Sequence, residues 1–466
     1  MSGQHHSDYL LIGAGAMGLA FADTLLAELP DATITIVDRH AKPGGHWNDA
    51  YGFVTLHQPS AFYGVASLPL GSGQIDAQGL NAGLYELASG AEVSAYFETV
   101  MNRVLLPTGR VRYLPFSNHV GDGRIVNLVS GAETQVSIGR KIIDSTYLAT
   151  SVPATHRRKF AVADGVRIVP PGELPHLWRK PDAMPRHYVV LGAGKTGMDT
   201  ILWLLAAGAT PDMISWVAPR ASWFFNRSAV QPGQAFFDKS IGGQLRFMQA
   251  LGAASDAADL FARLEDCGYM HRISRDHWPE MFHYAIASTA EVRELQRITD
   301  VIRLGRVQAL EPDRMLLDGG SRATPPGTLF IDCTASAVER RPPVPVFQPG
   351  KIVPQMVRVP QPAFSAALIA WVEAHVEGEA AQNALTMAVP LPDAITDFPR
   401  AALVNLFNQG AWSQHRDLMQ WIVNCRLDGF GAVMRDVQPH EADKIAILQQ
   451  LRPAAMAAMA NLQRLL

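Results

Sequence analysis

The chain has 466 residues, with Lys+Arg 40 against Asp+Glu 43, a formal net charge of -3, 48% hydrophobic and 18% charged residues. This composition excludes a disordered or fibrous chain, and at roughly 100–200 residues per domain the length gives two to four units, each with its own core. With no cationic excess and no Lys/Arg run, nothing is available to neutralise polynucleotide phosphates, so nucleic acid is not an expected partner. Cys267, Cys333 and Cys425 are too far apart for a C-x-x-C pair or a metal-ligand set, which points to a reducing compartment and to no metal. The apolar stretch from Tyr9 to Ala22 lacks a cationic flank and is too short to span a bilayer, so a cytoplasmic protein with no membrane contact is expected.

The first unit opens with YLLIG at residues 9–13, a short apolar run suited to a strand buried on both faces. A Gly-rich turn follows, then helical periodicity over residues 16–29, then the β-branched strand TITIVD at 33–38 ending in an acid. The same order returns with HYVVLG at 187–192, a helix through KTGMDTILWLLAAG, and MISWVAPR ending at Arg220. Five prolines between Val169 and His187 mark the linker between the two units. The pattern predicts an α/β fold of two Rossmann-like dinucleotide-binding domains. The first part of one spans residues 1–170. The other spans 185–330 and contains a helical insertion at about 231–300. Residues 331–466 return to the first domain and add a helical C-terminal region. The Leu/Ala/Met helix at 440–466 is expected to pack on the body or on a second copy of the chain, as in a homo-oligomer.

Gly13-Ala14-Gly15-Ala16-Met17-Gly18 is G-x-G-x-x-G between strand and helix, the context in which the pattern cradles a pyrophosphate at a helix N-terminus. Asp38 lies twenty residues beyond Gly18, placed to accept ribose hydroxyls, with Arg39 next to it. The second cradle is Gly192-Ala193-Gly194-Lys195-Thr196-Gly197. Its following strand leads into Pro219-Arg220 rather than an acid, and a cation there favours an adenosine 2′-phosphate, hence NADPH over NADH. Lys195 is a second phosphate partner. Two nucleotide sites suggest electron traffic between a bound flavin and a visiting nicotinamide.

After Asp38 the chain reads Gly44-Gly45-His46-Trp47, which resembles the GG-x-W segment of class B flavin-dependent monooxygenases, the flavin-containing and Baeyer–Villiger enzymes. His57-Gln58-Pro59-Ser60-Ala61-Phe62-Tyr63 is similar to the D-x-P-S-x-x-Y stretch beside the flavin ring, with His57 where the Baeyer–Villiger branch has Asp. DSTYLATS, containing Thr150, and DCTAS resemble the family's D-x-x-x-x-A-T-G returns, and VAPRASWFFNR its R-S-G-S-W stretch around Arg220. The resemblance implies FAD in the first cradle, NADPH in the second, and one oxygen atom of O2 inserted into a small organic substrate. His57 and Gln58 are the candidate catalytic residues. An imidazole at position 57 is neutral or cationic where the family's Asp is anionic, which favours N- or S-oxygenation over Baeyer–Villiger attack.

The family linker F-x-G-x-x-x-H-x-x-x-W/Y keeps Gly172 and His176 here but has Pro170 and Lys180 at its ends. That leaves open an FAD-dependent NAD(P)H reductase on the same scaffold without productive oxygenation. His271, His277 and His283 recur every six residues, a period that shares no helical face, so they read as ordinary packing or entrance residues. Trp223, Phe224 and Phe225 are expected in the core.

Overall fold

The computed structural model describes residues 3–179, 184–336, 338–339 and 341–466. The first parallel layer centres on Gly3–Ile12, flanked by Ile34–Val37 and Glu133–Asp144, with Val111–Leu114 outside Ile34–Val37. Every residue of Ile34–Val37 is buried, as expected of a parallel strand covered on both faces. Helix Ala16–Glu28 covers one face, and helix Pro362–His375 returns from far along the chain to pack beside it. Ala363 to Val372 are buried without a polar stripe, so this helix is enclosed on all sides.

The second parallel layer runs Val301–Ile302, Ile214–Val217, His187–Leu191, Thr328–Asp332 and Arg167–Val169 in spatial order. The last of these corrects the sequence reading. Arg167–Val169 pairs with Thr328–Asp332, and Ala161–Val162 pairs with Val307–Leu310, so both belong with the second unit and not with residues 1–170. At three and two residues these strands are too short to show periodicity.

The insertion is also less helical than expected. Helices Gly243–Ala253 and Ala257–Asp266 are present, but Met270–Arg272 and Met281–Ala287 are strands on either side of Ser222–Asn226. Trp223, Phe224 and Phe225 are buried on this central strand. Helix Ala442–Leu465 lies on the insertion, where Asn461 donates to the carbonyls of Leu251 and Ala254 at 2.8 Å each. Gly252 faces this helix, where a Cβ would stand 3.4 Å from Ala457.

The chain passes between the two layers twice, after Asp144 and after Asp332. The passages are tied together: the Tyr147 hydroxyl donates to the Pro342 carbonyl at 2.8 Å, and Glu339 N–H to the Leu148 carbonyl at 3.2 Å. Among the described residues no helix is long and apolar enough to cross a membrane.

Candidate functional site

The two cradles are built alike. Gly13 N–H donates to the Val37 carbonyl at 2.8 Å, and Gly192 N–H to the Val217 carbonyl at 3.0 Å. Gly13 and Gly192 sit at φ +96° and +117°, where only glycine is comfortable. A Cβ on Gly18 would lie 2.2 Å from the Gly13 carbonyl oxygen, and one on Gly197 2.2 Å from that of Gly192, so these glycines serve helix–strand packing. Gly15 and Gly194 answer to neither demand. Their φ values are -81° and -78°; a Cβ on Gly15 would meet only the Gly45 Cα at 3.7 Å, and one on Gly194 nothing within 4 Å. The bare backbone at these two positions leaves room for something outside the polypeptide. Helices Ala16–Glu28 and Lys195–Ala206 both begin there with no side-chain cap and no acid in the first turn, so their N-terminal N–H groups and positive dipole ends are left for an anion.

Around the first cradle the structure gathers most of the expected residues. Asp38 is buried, accepting from Ala14 N–H at 2.6 Å and from His40 N–H at 2.7 Å, so it shapes the loop from within. Gly44 N–H donates to the Ala14 carbonyl at 2.8 Å, which lays the Gly45–Asp49 turn on the cradle. Trp47 Nε1 donates to the Tyr63 hydroxyl at 2.8 Å, and His46 stacks on Trp47 with its imidazole pushed by burial down to about 4. Ser145 closes the loop by donating to the Ile12 carbonyl at 2.7 Å, and Thr150 follows the turn that Ser145 begins. Arg39 is exposed beyond Asp38. Asp144 and Asp332 end equivalent strands, each accepting at 2.6 Å from the Thr hydroxyl two residues on.

His57 lies where both units meet. Its Nδ1 accepts the Ile286 N–H at 3.2 Å, and its carbonyl accepts Arg227 Nε at 3.1 Å. Burial, with Lys195 and Arg227 nearby, pushes the imidazole down to about 3. It is therefore neutral, and with Nδ1 accepting, its proton resides on Nε2. The cationic form admitted by the sequence reading is removed. Gln58 is buried beside it.

Of the charged groups behind His57, Arg227 and Glu291 went unrecognised in the sequence. Arg227 is fully buried and its Nη2 donates to both Glu291 oxygens, at 2.9 and 2.7 Å. Burial raises the Glu291 carboxyl, but Lys195 and Arg227 outweigh it and hold the group below its ordinary value. Lys195 pairs with Asp199 and lies 4.0 Å from Glu291, so it turns towards the interface. Asp199 in turn accepts the Tyr51 hydroxyl at 2.8 Å, and Phe53 stacks on Trp203. The readable signal was Ser288-x-x-Glu291, a capping box that opens helix Thr289–Leu295.

Ile286 reaches His57 because the sheet is irregular there: Trp223 pairs with Phe282 but Phe225 with Ile286, and the bulge between holds Tyr284 at φ +58°. A left-handed aromatic residue is strained, and such strain gathers at functional sites. Arg220 is bound by Asp393, with Nη1–Oδ2 at 2.6 Å and Nη2–Oδ1 at 3.0 Å. In the linker Gly172 approaches Tyr51, with a Cβ there 3.8 Å from the Tyr51 Cβ, while His176 is exposed and Lys180 lies outside the described residues.

Residues 11–62 match the family described as NAD(P)-binding Rossmann-like domain. The uncharacterized protein Rv2000 of Mycobacterium tuberculosis is 46% identical over 425 residues, 91% of this chain and 77% of that protein. The FAD-dependent monooxygenase resA of Aspergillus sclerotiorum is 26% identical over 217 residues, 44% of this chain and 36% of that protein. Among solved structures, an oxidized steroid monooxygenase bound to NADP superposes with TM-score 0.50 at 13% identity, covering 79% of this chain and 85% of that one.

Proposed function

The chain belongs to one family with the mycobacterial protein, on the fold of the class B flavin-dependent monooxygenases, and from that premise we propose that it is an FAD- and NADPH-dependent monooxygenase acting on the heteroatom of a small organic substrate. The observation that carries the reading is the pair Gly15 and Gly194, glycines that the protein's own packing does not require, each at an uncapped helix N-terminus.

Both cradles fit a dinucleotide. Gly13, Gly15, Ala16, Met17 and Gly18 would hold the FAD pyrophosphate, Asp38 and Arg39 its ribose end, and Gly45, His46, Trp47 and Thr150 its flank. Gly192, Gly194, Lys195, Thr196 and Gly197 would hold NADPH, with Arg220 at the 2′-phosphate. FAD, when bound, supplies the hydride acceptor for NADPH and the reduced ring that activates O2. His57 holds a proton at Nε2 and presents a neutral donor, Gln58 lies buried beside it, and the Arg227–Glu291 pair fixes the His57 backbone. A neutral donor in place of a carboxylate supports oxygen transfer to nitrogen or sulfur.

The test is the yellow holoprotein reduced anaerobically with NADPH, then aerated with a sulfide, an amine or a ketone. Sulfoxide or N-oxide is expected. Ester product would reverse the heteroatom preference, and NADPH use without oxygenated product, given an organic electron acceptor, would favour the reductase.

A further inference from the structure

The acid that the first cradle has is missing from the second. Because Gly13 and Gly192 bond to Val37 and Val217 in the same way, Asp38 and Ala218 hold equivalent positions. The second site has a methyl group where the first has a carboxylate, yet a carboxylate is restored from elsewhere in the chain. Asp393 lies against Arg220 through two hydrogen bonds of 2.6 and 3.0 Å and accepts from His283 Nε2 at 2.7 Å. It is rigidly mounted: its carbonyl accepts Phe282 N–H at 3.0 Å and its own N–H donates to Asp397 Oδ2 at 3.0 Å. Asp393 takes two N–H groups of a guanidinium that has five, so Arg220 keeps donors for a further anion.

Building on the reading of the second cradle as a nicotinamide site, we infer that Asp393 is a specificity-determining residue that admits NADH beside NADPH. The ribose 2′-hydroxyl of NADH donates to the Asp393 carboxylate. The 2′-phosphate of NADPH gains Arg220 but meets the negative charge of Asp393, so each coenzyme finds one favourable partner in the same pair.

The experiment measures dissociation constants for both coenzymes from anaerobic flavin reduction of the holoprotein. Wild type is expected to be reduced by both, with constants within about tenfold. Asp393→Asn is expected to raise the ratio of the NADH constant to the NADPH constant at least about fivefold, and Arg220→Ala to lower it by about ten- to hundredfold. Asp393→Ser reads the same ratio should the Asn variant not fold. An unchanged or lower ratio in the Asp393 variants, or a wild type that NADH does not reduce, overturns the inference while leaving the NADPH site standing. Failure of both coenzymes to reduce bound flavin overturns the underlying reading and this inference with it.

Discussion

The Ile286 N–H donates to His57 Nδ1 at 3.2 Å across the junction of the two units, fixing the tautomer of an imidazole that burial keeps neutral. Burial pushes the His57 imidazole down to about 3 and that of His46 down to about 4, whereas an unfolded histidine takes its proton near 6.5. As pH falls from about 6.5 towards these values, the unfolded chain binds protons that the native chain does not, so stability declines across that window. Urea midpoints at pH 7 and pH 5 are expected to show the decline, and His57→Gln to flatten part of it. The pH profile of activity from about 6 to 9 is expected to contain no ionisation of His57, checked by comparing wild type with His57→Asn.

The glycines of the first cradle are expected to fail in opposite ways. Gly15→Ala meets only the Gly45 Cα, at an ordinary contact distance of 3.7 Å, and is expected to fold with an unchanged urea midpoint, but to purify with FAD affinity lowered at least about tenfold. In Gly18→Ala the new Cβ falls 2.2 Å from the Gly13 carbonyl oxygen, and a stability loss of roughly 1–3 kcal/mol is expected with flavin removed. Equal stability of the two apoproteins would contradict this division of roles.

Arg227→Ala leaves the buried Glu291 with only Lys195, 4.0 Å away, to offset its charge and is expected to cost about 3 kcal/mol in urea unfolding. The double replacement Arg227→Met with Glu291→Leu is expected to recover most of that loss, because two buried charges leave together. Flavin reduction by NADPH is expected to be slower in the double variant than in the wild type, since the His57 carbonyl has lost its Arg227 donor.

The Tyr284 hydroxyl is buried with no hydrogen-bond partner. Tyr284→Phe is expected to stabilise the ligand-free protein by about 1–3 kcal/mol, the desolvation cost of an unmade bond. Thermal and urea unfolding of the two proteins check it, and a loss of stability would show that the hydroxyl is satisfied in solution.

The strand–glycine–helix units at residues 9–38 and 187–220 were readable because every signal in them is local: apolar runs, glycines at fixed spacing and, in the first, an acid at the strand end. Arg227 and Glu291 were not, because their pairing spans 64 residues and becomes meaningful only when the insertion folds back on the second cradle. Met270–Arg272 and Met281–Ala287 were hidden by the amphipathic helices around them, and their pairing partner, Ser222–Asn226, lies well upstream. Arg220 was singled out by its position past the strand, but its carboxylate partner is 173 residues away and carries no motif.

Two passages of chain laced to each other at Tyr147–Pro342 and Leu148–Glu339 restrict how one nucleotide unit moves against the other. A single tether permits swivelling in every direction, whereas two crossings bonded to each other resist twisting. The Tyr51–Asp199 and Ile286–His57 hydrogen bonds join the same two units away from these passages, so a movement of one unit against the other has to break them as well.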